Sequence, residues 1–317
     1  MADLVTFGES MLRYAPPEGE RLEVASDLEV RVAGAESNVA VCASRLGADA
    51  LWTSVLPDSP LGRKVVSELR RYGLPVDVTW REEGRQGTYY IEQGGAPRGT
   101  NVVYDRADAA VTTAEPDDLA VEALAEADVF HTTGITPALS DTLAETTADL
   151  LATARDAGTR TAFDVNYRSK LWSPAEARAT LTALLDDVDV LVCGQDDAAA
   201  VLDYAGDPAD VAADLAADFG HDTVVLTLGA DGALARHGGE TVRQPAFQAD
   251  TLDPIGTGDA FVGAFLARRI AGDRVPEAME WGAATAALKR TLTGDVAAVT
   301  PAEVERVLDA EGRDISR

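Results

Sequence analysis

Two short stretches, residues 188–193 and 223–228, are almost unbroken runs of apolar and β-branched side chains: Val188, Val190, Leu191 and Val192, then Val224, Val225 and Leu226. A strand apolar at every position is buried on both faces, the condition met inside a parallel sheet covered by helices. The flanking segments alternate in kind. Residues 128–134 run from strand into loop, residues 140–157 carry helical periodicity with Ser140 as the cap, and residues 161–168 form a strand with a polar exit. This alternation specifies an α/β chain around a central, mostly parallel sheet flanked by helices. A first strand at residues 4–9, a helix running from the residue 33–38 loop to Gly47, an amphipathic helix at 63–72 and a closing helix at 301–308 extend the pattern. The 317 residues suffice for one domain, 1–317, with a full core.

An insertion of another character interrupts the alternation. Residues 21–32 alternate polar and apolar side chains, and residues 76–80, 87–93 and 100–106 are short strands separated by Gly-rich turns. These predict a small β-sheet lid built from segments about 11–33 and 76–108.

Charge narrows the partners. Asp and Glu number 54 against 27 Lys and Arg, a net charge of −27, and only Lys64, Lys170 and Lys289 are lysines. The acids are dispersed, as on the solvated coat of a folded protein. Self-repulsion in such a coat destabilises the compact state. It is largely screened at about 1 M salt, where the Debye length is ~3 Å. The balance predicts a protein suited to high internal salt and disfavours nucleic-acid binding through a basic surface. No run of eighteen apolar residues and no signal peptide is evident, so a cytoplasmic protein without membrane association is expected. Cys42 and Cys193 lie among apolar neighbours as buried free thiols, and His131, His221 and His237 have no metal-ligand spacing.

The stretch Asp253-Pro254-Ile255-Gly256-Thr257-Gly258-Asp259 leads into a buried helix at 261–267. Glycines allow close approach of the backbone to a ligand, and the free amides at a helix start suit phosphate. Asp259 stands where a carboxylate can accept a hydroxyl proton beside that phosphate. By residue types alone an ordinary Gly-rich turn with a capping Asp fits equally. Gly34 and Asn38 could offer a main-chain and a side-chain amide to a substrate hydroxyl; helix capping is the alternative. Tyr104 and Arg106 share one strand face and could clamp a carboxylate, although spacing alone favours an aromatic cross-strand pair with a surface Arg–Asp contact. Asp164-x-Asn166-x-Arg168 gathers polar groups at a strand exit, where ligands of open α/β sheets collect. Thr227-Leu228-Gly229-Ala230-Asp231-Gly232 is a glycine loop suited to nucleotide phosphates or ribose, or a hairpin turn.

The residue 253–261 stretch and the Gly-Ala-Glu-Ser-Asn loop at 34–38 resemble the two signatures of the ribokinase/PfkB family of sugar kinases, and the resemblance spans nearly the whole chain. It weakens at 56–62, over 76–98 and over the last thirty or so residues. The Tyr104-x-Arg106 pair with an upstream tyrosine, Tyr90, is similar to that of 2-keto-3-deoxygluconate kinases, in which Tyr and Arg recognise a sugar acid. The resemblance implies a ribokinase-like fold, ATP and Mg²⁺ as cofactors, and phosphorylation of the terminal hydroxyl of 2-keto-3-deoxygluconate to the 6-phosphate, with 2-keto-3-deoxygalactonate as a further substrate, in Entner–Doudoroff-type catabolism. It implies Asp259 as catalytic base with Gly256, Thr257 and Gly258 as anion hole, Thr257 departing from the usual Ala or Gly. Gly34, Asn38, Tyr90, Tyr104, Arg106, Arg168, Asp259 and Asp295 would meet the sugar acid, a surface turn fitting Asp295 as well. Asn166, Arg168, Thr227, Gly229, Asp231, Gly232, Gly256 and Gly258 would meet ATP. The family's magnesium-linked Asn-x-x-Glu falls on Gly194 to Asp197, leaving Asp197 as the acid and no Asn. A homo-oligomer through the lid is also implied. The rival readings are a kinase for a neutral sugar such as fructose or ribose, and a non-catalytic sugar-acid or nucleotide sensor. No Gly-x-x-x-x-Gly-Lys loop and no His-Arg-Asp loop is present.

Overall fold

The computed structural model describes residues 2–94 and 97–314. Its strands are β1 (Leu4–Phe7), β2 (Met11–Ala15), β3 (Glu29–Ala33), β4 (Ala50–Pro57), β5 (Val76–Arg81), β6 (Thr88–Glu92), β7 (Asn101–Asp105), β8 (Val129–Thr133), β9 (Arg160–Asp164), β10 (Val190–Gly194), β11 (Thr223–Thr227), β12 (Ala233–His237) and β13 (Glu240–Gln244). Nine of them form one sheet in the order β13-β12-β11-β10-β9-β8-β1-β4-β5. Every pair from β11 to β5 is parallel, while β12 and β13 are antiparallel additions. The β12–β13 hairpin turns on Gly238 and Gly239, both at positive φ (55° and 87°), as a two-residue turn matched to strand twist demands. Residues 228–232 do form a hairpin turn, from which β12 returns antiparallel to β11, whereas β13 matches no strand expected from the sequence.

The apolar runs owe their uniformity to two separate cores. Leu191, Val224 and Leu226 pack with the helices Asp141–Ala157, Pro174–Leu185 and Pro208–Phe219; Val192 and Val225 face the opposite layer, helices Ala35–Arg45, Thr257–Ile270 and Val275–Arg290. Successive strand residues point to opposite faces, so burial of both faces leaves no polar position. Local signals set the helix ends. Ser140 Oγ accepts the Leu143 amide at 3.1 Å, and Gly158 closes that helix at φ 86°. The amphipathic helix begins at Pro60, capped by Ser59, three residues before its expected start.

A second sheet of four strands, β3-β2-β6-β7, lies apart from the first. Its composition corrects the expected lid. Val76–Arg81 pairs with β4 at the edge of the large sheet, so the strands of the small sheet come from within 11–33 and from 88–105. Residues 95 and 96 of the expected segment lie outside the described residues. Within 21–32 only Glu29–Ala33 is a strand. Residues 21–25 form turns, with Val24 and Ala25 amides bonded to the Arg21 carbonyl, and Met11–Ala15 supplies the other strand instead.

The helix Thr257–Ile270 crosses Ala35–Arg45 at very short range. A Cβ on Gly263 would stand 2.7 Å from both Cys42 Cβ and the Val39 carbonyl oxygen. Mid-helix glycine is unfavourable by itself, so packing is the reason for it here. Gly263→Ala is expected to destabilise the fold by about 1–3 kcal/mol, the usual cost of overpacking, despite its better helix propensity; the midpoint of chemical denaturation measures this.

Candidate active site

In the signature turn, Gly256 takes φ 78°, and a Cβ there would collide with the Asp295 carbonyl. Only glycine fits, because both the left-handed conformation and the close approach exclude a side chain. The turn delivers the chain into the helix Thr257–Ile270. The amides of Thr257 and Gly258 open that helix, and Asp259 occupies its first turn. Thr257 Oγ1 donates to the Pro254 carbonyl at 2.7 Å. Beneath the turn, Asp253 is fully buried; its Oδ1 accepts the Ile255 amide and its Oδ2 the Gly294 amide, each at 3.0 Å. Lys289, also fully buried, donates to the carbonyls of Asp253 at 3.1 Å and Leu292 at 3.4 Å. Burial pushes the Asp253 carboxyl up, yet the Arg13 guanidinium and the two amides outweigh it, leaving the pKa below its ordinary value.

The chain crosses from one side of the sheet to the other between β1 and β8, and the cavity lies at the carboxyl ends of these strands. It has a volume of about 490 Å³. Asp164 at the end of β9 with Asn166 and Arg168 beyond it, Gly194 at the end of β10 with Asp197 beyond it, and Thr227 at the end of β11 all reach it. Asn166 sits at φ 39°, a strained conformation for a side-chain-bearing residue. Burial raises the Asp259 pKa to about 6, against the bond from Asn38 and the field of Arg168. Burial, and then the Asp259 charge, raise Asp164 to about 7. Asp197 is raised by burial as well, while its Oδ2 accepts the Tyr167 amide at 3.2 Å.

Gly34 and Asn38 border the same cavity. Gly34 is extended, and a Cβ on it would strike the Glu9 carbonyl. Asn38 Nδ2 donates to Asp259 Oδ2 at 2.7 Å, so this amide orients the signature acid, and its own buried Oδ1 has no protein partner. One residue pair away, Glu36 is enclosed, accepting from Thr133 Oγ1 at 2.7 Å and Thr136 Oγ1 at 2.8 Å; burial raises its pKa to about 7.

The small sheet forms the roof. Tyr104 and Arg106 line the cavity, with the guanidinium 5.3 Å from the phenol ring centroid. Tyr90 does not. It stacks on Tyr14 with centroids 5.2 Å apart, whereas Tyr89 faces inward and donates its hydroxyl to Asp295 Oδ2 at 2.7 Å. Strand parity is the reason: Tyr89 is the register partner of Tyr104, so those two share a face and Tyr90 takes the other. Arg106 is ion-paired with Glu9, an acid the sequence reading did not single out. Burial raises the Glu9 pKa, and Arg106 opposes this. Asp295 is buried and borders the cavity, and it is no surface turn.

A second cavity of about 220 Å³ adjoins the first and shares Thr227, Thr257 and Gly258 with it. Gly229, Gly232, Phe247, Phe261 and Ala287 give it a largely apolar lining. Asp231 is exposed and lines neither cavity, because the short turn Gly229–Asp231 directs it to solvent. Among the described residues no cluster of three or more His, Cys, Asp or Glu is arranged to hold a metal, and no helix is long and apolar enough to cross a membrane.

A glycine turn at a helix start, an acid beside it and a roofed cavity at the strand ends are the arrangement of a carbohydrate kinase. The chain belongs to the pfkB family carbohydrate kinases, whose profile matches residues 1–302. It is 63% identical over 316 residues to the 2-dehydro-3-deoxygalactonokinase of Haloferax volcanii, covering 100% of this chain and 99% of that one. Identity to the 2-dehydro-3-deoxygluconokinase of Thermoproteus tenax is 32% over 315 residues, 98% and 95% of the two chains. The solved 2-dehydro-3-deoxygluconokinase of Thermotoga maritima superposes with a TM-score of 0.91 at 30% identity, over 97% of this chain and 99% of that one.

Because the folded state raises the Asp259 pKa from 3.8 to about 6, it binds that proton more tightly than the unfolded chain does. The associated stability is present below about pH 4 and is lost as pH rises through about 6. Asp259→Asn is therefore expected to melt higher than the parent at pH 8, with the difference shrinking toward pH 4; thermal unfolding at both values tests the sign.

Proposed function

We propose that this kinase transfers the γ-phosphoryl group of ATP to the terminal hydroxyl of a 2-keto-3-deoxy sugar acid, forming the 6-phosphate, with the galactonate and gluconate epimers both accepted. The observation that carries this reading is that the Arg106 guanidinium and the Asp259 carboxylate border a single cavity. A planar guanidinium with a phenol beside it suits the carboxylate of an acyclic or ring-closed sugar acid. Arg106 and Tyr104, with Tyr89 in the role expected of Tyr90, hold that end. The far hydroxyl then lies beside Asp259.

Asp259 takes the hydroxyl proton as the oxygen bonds to the γ-phosphorus, and the bond to the bridging oxygen of ADP breaks. Amides of Gly256, Thr257 and Gly258 would meet the oxygens on which charge gathers, that of Thr257 exchanging the Pro254 carbonyl, to which it donates at 3.3 Å, for phosphate. Arg168 stands at the strand exit between the two ligands, and Asn166 lines the same exit. The adjoining apolar cavity accommodates the base, with Thr227, Gly229 and Gly232 along the path of the nucleotide. Asp197 and Asp164, two carboxylates after neighbouring strands, suit Mg²⁺, which is commonly held by one or two carboxylates together with substrate phosphates. When bound, Mg²⁺ neutralises phosphate charge. The relatives' substrates support the substrate class, and the galactonate-acting relative supports activity on that epimer.

Two further proposals concern the whole molecule. Tyr14, Tyr90 and Val103 on the outer side of the small sheet support a homo-oligomer through that sheet, Val103 being 49% exposed. The net charge of −27 supports function at high salt.

A panel of 2-keto-3-deoxygalactonate, 2-keto-3-deoxygluconate, fructose and ribose with ATP, read as ADP formation, tests the reading; preference for a neutral sugar would overturn it. Asp259→Asn is expected to lower kcat by at least ~10²-fold, and the parent's kcat/KM should fall as pH drops through about 6, where Asp259 gains its proton. Arg106→Ala is expected to raise KM for sugar acids roughly 10- to 100-fold, the range for a lost charge-assisted hydrogen bond, with little change for neutral sugars.

A further inference from the structure

Arg13 has no part in the transfer described above, yet its surroundings are unusual. Among the arginines and lysines of the described residues, Arg13 and Lys289 are the two that are fully buried, Arg13 being 2% exposed. It projects from β2 of the small sheet and bonds two acids at once: Asp253 through Nη2 at 2.9 Å, and Asp295 through Nη1. Asp253 belongs to the signature turn, and Asp295, from the loop after the helix Val275–Arg290, packs against it. Asp253 begins it and is tied to the amides of Ile255 and Gly294, and the Asp295 carbonyl abuts the α-carbon of Gly256. Tyr89, the register partner of Arg13 on β6, completes the group with its hydroxyl on Asp295. A buried carboxylate stripped of its partner is costly, and the guanidinium fork is the side chain able to serve two acids in fixed directions.

We propose that Arg13 is the positioning residue of the anion turn, fixing the amides of Gly256, Thr257 and Gly258 only when the small sheet is seated over the sugar acid. One guanidinium thus joins the sheet that roofs the sugar to the turn that receives the phosphoryl group. Arg13 does not line the cavity and touches neither ligand. Its loss acts on the placement of the amides, so it acts on turnover rather than on sugar affinity. The inference rests on the sugar-acid kinase reading; that reading fails if the parent protein forms no ADP with any sugar acid, whereas this one fails with an active parent.

The test is Arg13→Lys in the full chain, which keeps a positive charge but not the fork. The expected result is a kcat lowered about 10- to 100-fold, the range for a lost charge-assisted bond, with KM for the sugar acid within about threefold of the parent. Binding of the sugar acid without ATP, followed by calorimetry, should stay near the parent value. A merely structural bridge would lower the melting temperature and leave kcat per folded molecule unchanged, and that outcome overturns the proposal. So does a rise in sugar-acid KM at constant kcat. If Arg13→Lys does not fold, Asp253→Asn weakens the same bridge from the turn's side without altering a residue that lines the cavity. It should lower kcat about 2- to 10-fold, more than it raises KM, the range for one weakened hydrogen bond; a normal kcat in that variant overturns the proposal equally.

Discussion

Six carboxylates, Glu9, Glu36, Asp164, Asp197, Asp259 and Asp295, line the main cavity, and two guanidiniums, Arg106 and Arg168, share it with them. Each acid withdrawn from water must find a cation, accept hydrogen bonds or take a proton. The site shows all three answers. Glu9 and Asp295 have arginines. Glu36 has two threonine hydroxyls. Asp164 and Asp259 are raised into the range where a proton is readily exchanged near neutrality. That last condition is the one a general base requires: a carboxylate whose affinity for a proton is increased without being protonated at working pH. Burial therefore raises the proton affinity of these two acids, and the pairing of the others keeps burial tolerable.

Topology brings these groups together from distant parts of the sequence. Reversal of strand order between the parallel neighbours β1 and β8 leaves a crevice beyond their carboxyl ends. The segment after β1 contributes Glu9, the start of the next helix Gly34 and Asn38, the exits of β9 and β10 Asp164 and Asp197, and the C-terminal helices the signature turn. The small sheet closes the crevice from above with Met11, Tyr89, Ile91 and Ala33, an apolar patch packed on Ile255 of the turn itself. Roof and turn are in contact through carbon as well as through Arg13. Movement of one without the other would expose that patch.

The parallel sheet was legible because burial on both faces leaves a mark in every residue of a strand, as at Val224, Val225 and Leu226. The signature turn was legible for a related reason: Gly256 and Gly258 mark where the backbone must be bare, and Asp259 follows at fixed spacing. Pairing was much less so. Val76–Arg81 has the composition of a short strand in either sheet, and only its hydrogen bonds to β4 assign it. The choice between Tyr89 and Tyr90 turns on register with β7, a relation between segments that neither segment states. Met11–Ala15 was hidden because its neighbours are other strands and its outward residues are few. Glu9 and Arg13 were missed since an isolated acid or base near a strand resembles any surface charge until its partners, 97 and 282 residues away, are in place. A hint existed in Glu9, directly after the glycine that follows β1, at a strand exit.

The two populations of acid in this chain obey different rules. Surface acids interact through water and are weakened by added salt over a Debye length of ~3 Å at about 1 M. Acids in the cavity are shielded from that solution, so dissolved ions relieve little of their repulsion. Their balance has to be built from side chains, in a chain that carries 54 acids and 27 bases. Lysines are almost absent from its surface, yet one of the three, Lys289, is fully enclosed beneath the signature turn. Its ammonium lies against main-chain carbonyls there, and its charge reaches Asp253, Asp295 and Asp259, which in turn oppose the drop that burial imposes on its pKa. A surface enriched in acid can change with the medium. The few enclosed bases cannot, because each answers a carboxylate that the fold has already taken out of water.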